Sequence, residues 1–349
     1  MSKIAHHYVG IDLHKSVLQV CVLDCRGATI AEQRFTGSDF QSGLEVVGYL
    51  EQWRVGGRYA VEALGLNRWF VNACLERGLD IVVVDPVQLK LKRSGKKTDR
   101  RDAHEIARRL YLGDIDRHAL TYYPDESEYG VRKVVRTRHK LVSIRQQLGN
   151  QIRSLLNAYR ICEVKGRLYS PGNLAKLLAL PLPEQLQVSL QALVESLRAV
   201  QAGVEQLTTQ QHKLARLPVP ELLVCALPSV GPQTAVTLVC ELGDVSRFRN
   251  ARAVASYAGL VPRVSQSADR SHHGKLTKRG NKELRWIVSQ WAVRMLTHSP
   301  LVQDWAAPYL RRMHKNKVRM ALARRLLIGV YIMLSRGEEF SLERCLAQH

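Results

Sequence analysis

The residues best suited to chemistry lie between positions 96 and 103, which read Lys-Lys-Thr-Asp-Arg-Arg-Asp-Ala. Asp99 and Asp102 stand three apart among Lys96, Lys97, Arg100 and Arg101. On a helix, positions i and i+3 share a face, so both carboxylates would point one way with the cations fanned around them. Thr98 or Asp99 suits the N-cap, and Ala103, Ile106, Ala107 and Leu110 supply an apolar stripe. Paired carboxylates bind a hard divalent cation, and neighbouring lysines and arginines suit a phosphate substrate. The same pattern fits a capped surface helix with local ion pairs, so the elements around it must decide.

Two isolated carboxylates precede the pair. Asp12 sits in a β-rich run with Val9, Ile11 and Leu13, and Glu62 sits in the short strand-like run Tyr-Ala-Val-Glu-Ala-Leu. A mid-strand carboxylate is costly to bury without a partner or a metal, although strict alternation would also allow a solvated face. The expected order begins with an antiparallel meander through residue 35. A helix over 39–53, the strand carrying Glu62 and a helix over 67–77 follow. The run Asp-Ile-Val-Val-Val-Asp at 80–85 reads as a strand buried on both faces, and the helix carrying Asp99 closes the series.

The chain has 349 residues, 46% of them hydrophobic, enough for two or three domains with their own cores. A formal net charge of +21 favours a polyanionic partner, nucleic acid first. No apolar run approaches the ~20 residues a spanning helix needs, and the first residues lack an apolar signal core, so a cytosolic protein is expected. The 7 cysteines are odd in number and form no Cys-x-x-Cys pair, which disfavours a zinc site or a disulfide framework. The 12 histidines show no metal-ligand spacing.

Apolar residues at Leu141, Ile144, Leu148, Leu155, Ala158 and Cys162 follow heptad spacing, with Gln151 as a polar insert. After a break at Ser170-Pro171-Gly172 the pattern resumes through Leu190, Leu193, Leu197, Val200, Val204, Leu207, Gln211 and Leu214. This reads as a coiled-coil seam, closed either within the chain as a helical hairpin or against a second copy. Residues 222–243 read as helix, Leu-Pro-Ser-Val-Gly-Pro hairpin, helix. They resemble a helix-hairpin-helix unit, with Ser229 where a first glycine is usual and only Gly231 kept. A basic polar loop and a helix from Lys282, with Leu284, Ile287, Val288 and Trp291 inward, come next. From Pro218 onward there are 20 Lys and Arg against 9 Asp and Glu.

Acids on a first strand, a later strand and a closing helix resemble the RNase H-like fold of RuvC-type resolvases, where such side chains hold two Mg²⁺ ions. Actin-like ATPases share that fold and its opening aspartate. The segments Val-Gly-Ile-Asp12-Leu-His-Lys, Val-Glu62-Ala-Leu-Gly and Lys-Thr-Asp99-Arg-Arg-Asp102-Ala narrow the resemblance. Together with Gly-Asp-Val-Ser-Arg-Phe, Tyr-Ala-Gly-Leu-Val-Pro-Arg and Leu-Thr-Lys-Arg-Gly-Asn-Lys-Glu-Leu-Arg, they resemble the DEDD transposases of bacterial insertion sequences, a group that includes the Piv-type DNA invertases.

The resemblance implies an α/β RuvC-like (RNase H-fold) domain over 1–128 and a helical coiled-coil segment over 129–217. A mostly α-helical transposase domain with the helix-hairpin-helix-like unit would cover 218–349. It implies Mg²⁺, with Mn²⁺ as a substitute, on Asp12, Glu62, Asp99 and Asp102. The family's serine nucleophile stands in Gln-Ser-Gly; here the match is Gln266-Ser267-Ala268, which nominates Ser267, with Ser265 as the rival and Ser271 behind it. Phosphate contacts are expected at Lys96, Lys97, Arg100, Arg101, Arg263, Lys275, Lys278 and Arg279. The implied partners are donor and target double-stranded DNA and a structured noncoding bridge RNA that pairs with both. A homo-oligomer, a dimer of dimers, is expected in the bacterial cytoplasm at the nucleoid, with no membrane. The implied reaction passes through a covalent phosphoserine. A RuvC-like metal-dependent nuclease without a covalent intermediate is the alternative. A non-catalytic nucleic-acid binder and an ATPase stand behind it, and the basic second half argues against the ATPase.

Overall fold

The computed structural model describes residues 6–36, 40–63, 65, 67–85, 99–115, 120–161, 168–267, 270–276 and 280–347. At 40–43, 263–267 and 270–276 the description is of backbone. Lys96, Lys97, Lys278 and Arg279 lie outside the described residues. The chain divides into two compact units, Met1–Tyr123 and Pro124–His349.

The first unit is an α/β domain built on a five-stranded sheet of order β3-β2-β1-β4-β5. Strands β1 (His7–Leu13), β2 (Val17–Asp24) and β3 (Thr29–Thr36) form the antiparallel meander expected from the sequence. Strands β4 (Gly57–Glu62) and β5 (Asp80–Val84) continue the sheet in parallel with β1. Helices α1 (Phe40–Leu50) and α2 (Arg68–Glu76) connect the parallel strands. Val9, Ile11, Val20, Val22, Tyr59 and Val61 share one core with Val46, Val47, Leu50, Phe70 and Val71 of these helices.

Alternation sends Tyr8, Gly10 and Asp12 to the opposite face. That face is covered by α3 (Asp99–Tyr111), whose Ala103, Ile106, Ala107 and Leu110 are buried. They pack with Cys21, Leu23, Ala60 and Val84. Asp12 is therefore buried, 1% exposed, rather than on a solvated face. Gly10 is the point of closest approach. A Cβ there would collide with the Ala103 carbonyl oxygen and the Ala107 amide nitrogen, both α3 backbone atoms that cannot swing aside. The edge-on contact of Tyr8 with Tyr111, centroids 5.3 Å apart, closes the far end of the same packing.

The second unit is mostly helical. Two long helices, α4 (Glu126–Ala158) and α6 (Glu184–Leu214), pack against each other within the chain, with α5 (Pro171–Leu178) between them in sequence. Ile152 and Leu156 of α4, Leu174 and Leu177 of α5, and Leu190, Val194 and Leu197 of α6 share one core. In α6 the buried Leu190, Leu197, Val204 and Gln211 keep the expected heptad spacing. In α4 the expected Leu148 and Leu155 pack half-buried against the core, Ile152 and Leu156 are buried beside them, and Ala158 is exposed. Cys162 lies outside the described residues. Gln211 is buried, as a polar insert in this stripe.

Helices α7 (Pro218–Ala226) and α8 (Pro232–Leu242) follow, joined by a short turn. Ser229 in that turn has φ +58°, a left-handed conformation that favours glycine, at the position where the resemblance expected one. Helix α9 (Ala251–Tyr257), a hairpin of β6 (Pro262–Ser267) and β7 (Arg270–Leu276), and helices α10 (Lys282–His298), α11 (Pro300–Leu310), α12 (Lys315–Arg336) and α13 (Leu342–Ala347) complete the unit. The expected coiled-coil segment and transposase domain lie in one compact unit. Val135 of α4 and Ala215 bury against Val236 and Cys240 of α8, joining the two parts. Among the described residues, no helix is long and apolar enough to cross a membrane.

Replacing Gly10 by alanine forces a methyl into the backbone of α3. Gly10→Ala is expected to cost about 1–3 kcal/mol in denaturant unfolding and to weaken divalent-cation binding. Gly48, on α1, has open space at its Cβ position. Gly48→Ala is expected to be neutral or to stabilise by up to ~1 kcal/mol, through lower chain entropy in the unfolded state.

Candidate active site

Parallel pairing places the first two acids. His7 through Ile11 on β1 pair with Gly57 through Val61 on β4, a constant offset of fifty positions. Carried one residue further, this register sets Asp12 beside Glu62 at the carboxyl ends of adjacent strands, where α/β sheets bind their ligands. Asn67 is 6% exposed, and its Nδ2 donates to the Glu62 carbonyl oxygen at 2.9 Å, fixing the chain as it leaves β4. Asp99 and Asp102 enter on the first turn of α3, where the positive end of the helix dipole favours carboxylates.

His14, two residues beyond Asp12, returns to the same side of the chain. Its Nε2 lies 3.2 Å from Asp12 Oδ2 and 3.6 Å from Asp99 Oδ1. One ligand atom from each of Asp12, His14 and Asp99 falls within 4.8 Å of the others. Glu62 and Asp102 stand outside this tight group but close enough to act on Asp12 through their charge. Burial is the main force raising the Asp12 carboxyl, to about 6, with His14 opposing and Asp102, Glu62 and Asp99 adding to the rise. His14 is not among the candidate site residues read from the sequence, because the histidines show no metal-ligand spacing. The partner of His14 on α3 lies 85 positions away in sequence, so no local spacing could reveal the pair.

These residues fit a divalent cation. Asp12 Oδ2 is buried and makes no hydrogen bond, an orphaned acceptor of the kind an ion satisfies. Carboxylates crowded around it repel one another unless a positive charge sits among them. Oxygen donors suit Mg²⁺ or Mn²⁺, and an imidazole shifts the set toward the transition metals.

The cations near this group are placed differently from one another. Arg100 is exposed and pairs with Glu32 on β3. Arg101 is exposed and carries an interaction of its own. In the second unit, Arg263 lies in β6 and Lys275 in β7. Ser267, read from sequence in a loop, is the last residue of β6 and pairs with Arg270. Ser265 pairs with His272, and Ser271 with Gln266. The turn between α7 and α8 is held from α10, where Trp291 Nε1 donates to the Pro228 carbonyl at 2.8 Å and Arg294 donates to the Ser229 carbonyl at 3.0 Å.

Two transposase family models match the chain. Residues 9–161 match the IS110-type DEDD transposase family model, and residues 222–307 match the model described as Transposase IS116/IS110/IS902 family. The transposase for insertion sequence element IS1111A of Coxiella burnetii is 24% identical, over 95% of this chain and 90% of the relative. A probable family 20 transposase of Pseudomonas aeruginosa is 26% identical, over 94% of this chain and 96% of the relative. Among solved structures, Thermus thermophilus RuvC aligns at 17% identity and a TM-score of 0.26, covering 33% of this chain and 99% of that one.

The raised Asp12 carboxyl sets the pH dependence of the metal-free protein. The unfolded chain loses this proton near 3.8, the ordinary aspartate value, and the folded chain near 6, so the folded state holds more protons in between. Stability of the metal-free protein is therefore expected to fall as pH rises from about 4 through about 6. Melting curves across that range should show the loss in the wild type, a smaller loss in Asp12→Asn, and a reduced loss when Mg²⁺ is added.

Proposed function

The chain belongs to the IS110/IS116 family of DEDD transposases, and from that premise we propose an RNA-guided recombinase that cuts and rejoins donor and target DNA through a phosphoserine at Ser267. The observation that carries the reading is the buried Asp12 carboxylate with an orphaned oxygen, set against His14 and Asp99 and within reach of the charges of Glu62 and Asp102. Asp12, Glu62, Asp99 and Asp102 hold a divalent cation, Mg²⁺ or Mn²⁺, with His14 beside them. Such an ion, when bound, neutralises charge on a scissile phosphate and lowers the barrier to displacement at phosphorus.

The protein's own groups do the rest. Ser267 Oγ forms a bond to phosphorus as the bond from phosphorus to one deoxyribose oxygen breaks. The proton leaves the serine, and the departing sugar oxygen gains one to become a free hydroxyl. The phosphoserine ester conserves the energy of the original linkage, so a hydroxyl from the exchanged strand reverses the step and releases the serine. A serine hydroxyl is weak until a base or a metal activates it, so exchange requires both the carboxylate centre and the serine.

The basic surface grips backbone phosphate, through Lys96, Lys97, Arg100, Arg101, Arg263, Lys275, Lys278 and Arg279. Base pairing with a bridge RNA supplies the sequence choice. Two strands in each of two duplexes need four serines, hence a dimer of dimers.

Strand exchange by purified variants tests this reading. Ser267→Ala is expected to abolish exchange while Ser265→Ala supports it, and Asp102→Asn is expected to slow it by roughly 10²–10³-fold. DNA cutting by Ser267→Ala at the wild-type rate, with Asp102→Asn inactive, would replace the recombinase with a metal-dependent nuclease. A discrete structured RNA, recovered with the protein and encoded beside its gene, is the expected outcome for the guided reading.

A further inference from the structure

The hairpin that carries Ser267 leaves the helical body after α9 and returns to it before α10. Its two legs meet at one place. The Asn281 amide donates to the Tyr257 carbonyl oxygen at 2.7 Å, closing residues 258–280 into a loop pinched at its base. Gly280, with φ +95°, makes the approach possible, since a Cβ there would strike the same Tyr257 carbonyl. Arg285 adds a second tie across the base, donating to the Ala258 carbonyl at 2.9 Å.

Every polar atom of the Asn281 side chain is engaged. Its Oδ1 accepts from the Glu283 and Leu284 amides, both at 3.0 Å, and so caps α10. Its Nδ2 donates to Glu241 Oε2 at 2.6 Å and to the Tyr257 hydroxyl at 3.2 Å. Glu241 is wholly buried at the end of α8. Arg136 of α4 grips it through two bonds, Nε to Oε1 at 2.8 Å and a terminal nitrogen to Oε2 at 2.7 Å. Burial pushes this carboxyl upward, but Arg136 and Asn281 outweigh it and hold the group below its usual value, as an anion. A bidentate pair of this kind, with a buried carboxylate and a half-exposed guanidinium, is directional.

We propose that Glu241, Asn281 and Arg136 are positioning residues for the nucleophile, a fixed footing that sets the attitude of the serine hairpin against the helical body. The footing rests on the assignment of Ser267 as nucleophile and adds to it what orients the strand. Helix α10 needs only a cap, and the hairpin pairs with itself through β6 and β7. The Asn281–Glu241 bond serves neither of those ends. It joins the hairpin base to a charge already locked to α4 and α8.

Asn281→Ser separates the two roles of the residue. Serine keeps a side-chain oxygen to cap α10 but loses the donor to Glu241. Asn281→Ser protein, in complex with its DNA and RNA, is expected to bind DNA like the wild type while forming the covalent adduct about tenfold or more slowly at saturating DNA. Hydrogen exchange is expected to quicken by about tenfold at 262–276, the loss of one charge-assisted bond, with 232–242 unchanged. Asn281→Ala, which also loses the cap, should show the same adduct defect plus a lower melting temperature.

Wild-type adduct kinetics in Asn281→Ser would overturn the proposal, as would parallel loss of DNA binding and adduct formation, the mark of general destabilisation. Absence of any adduct in the wild type, with faster exchange at 262–276 in Asn281→Ser, would overturn the serine assignment and its positioning while leaving the footing as an anchor of the hairpin.

Discussion

The first unit depends on one close approach, the seating of α3 on β1 at Gly10. The helix backbone occupies the space any side chain would need, so only glycine allows sheet and helix to meet this closely. That closeness brings the first turn of α3 over the end of β1. Asp99 thereby reaches the group formed by Asp12 and His14, and Asp102 acts on it electrostatically. The same packing that buries Ile106 and Leu110 thus holds carboxylates against their mutual repulsion. Assembled from segments far apart in sequence, this charge cluster is tolerable only because hydrophobic burial along α3 offsets it. A divalent cation would turn the remaining strain into binding energy.

The second unit solves a different problem, how to hold a short two-stranded hairpin against a helical body. A lone hairpin is marginal in water. Here its base is drawn together by main-chain and side-chain bonds between Asn281 and Tyr257, and Asn281 is fastened to the buried anion of Glu241. Removing one partner of such a pair leaves an unpaired buried charge, so the arrangement resists gradual loosening. Around it, Trp291, Leu284, Val288 and the apolar face of α12 form the largest core of the unit.

Much of this was legible in the sequence, and the misses share a cause. The strand and helix order of the first unit followed from β-rich runs, a both-face apolar strand and one amphipathic stripe, all local signals. Asp12 and Glu62 drew notice because isolated carboxylates in apolar runs need a reason, and Asp99 and Asp102 because a carboxylate pair among cations suits a metal and a phosphate. His14 did not, since its significance comes from a helix that folds over it from a distant segment. Gly10 looked like any strand glycine, and only the helix above it explains its lack of a side chain. Glu241 reads as one acid ending an apolar helix. Its three bonds come from Arg136 and Asn281, both remote in sequence. The heptad stripe marked both long helices, and its positions in α6 are buried as spaced, while in α4 Ile152 and Leu156 are buried beside the expected Leu148 and Leu155.

The two units place unlike chemistry in one polypeptide, a gathered set of acids in the first and a strand-borne serine in the second, on a chain of net charge +21 suited to polyanions. On the proposed reading, Ser267 becomes a covalent carrier of DNA only when the carboxylate centre holds its cation. Mass spectrometry of peptides from protein trapped on a cleavable DNA, with and without a chelator, tests this. A nucleotide remnant is expected on the peptide containing Ser267, attached at that residue, formed with Mg²⁺ and absent with the chelator. Cut DNA with no modified peptide, or a remnant that forms equally well with the chelator present, would contradict it.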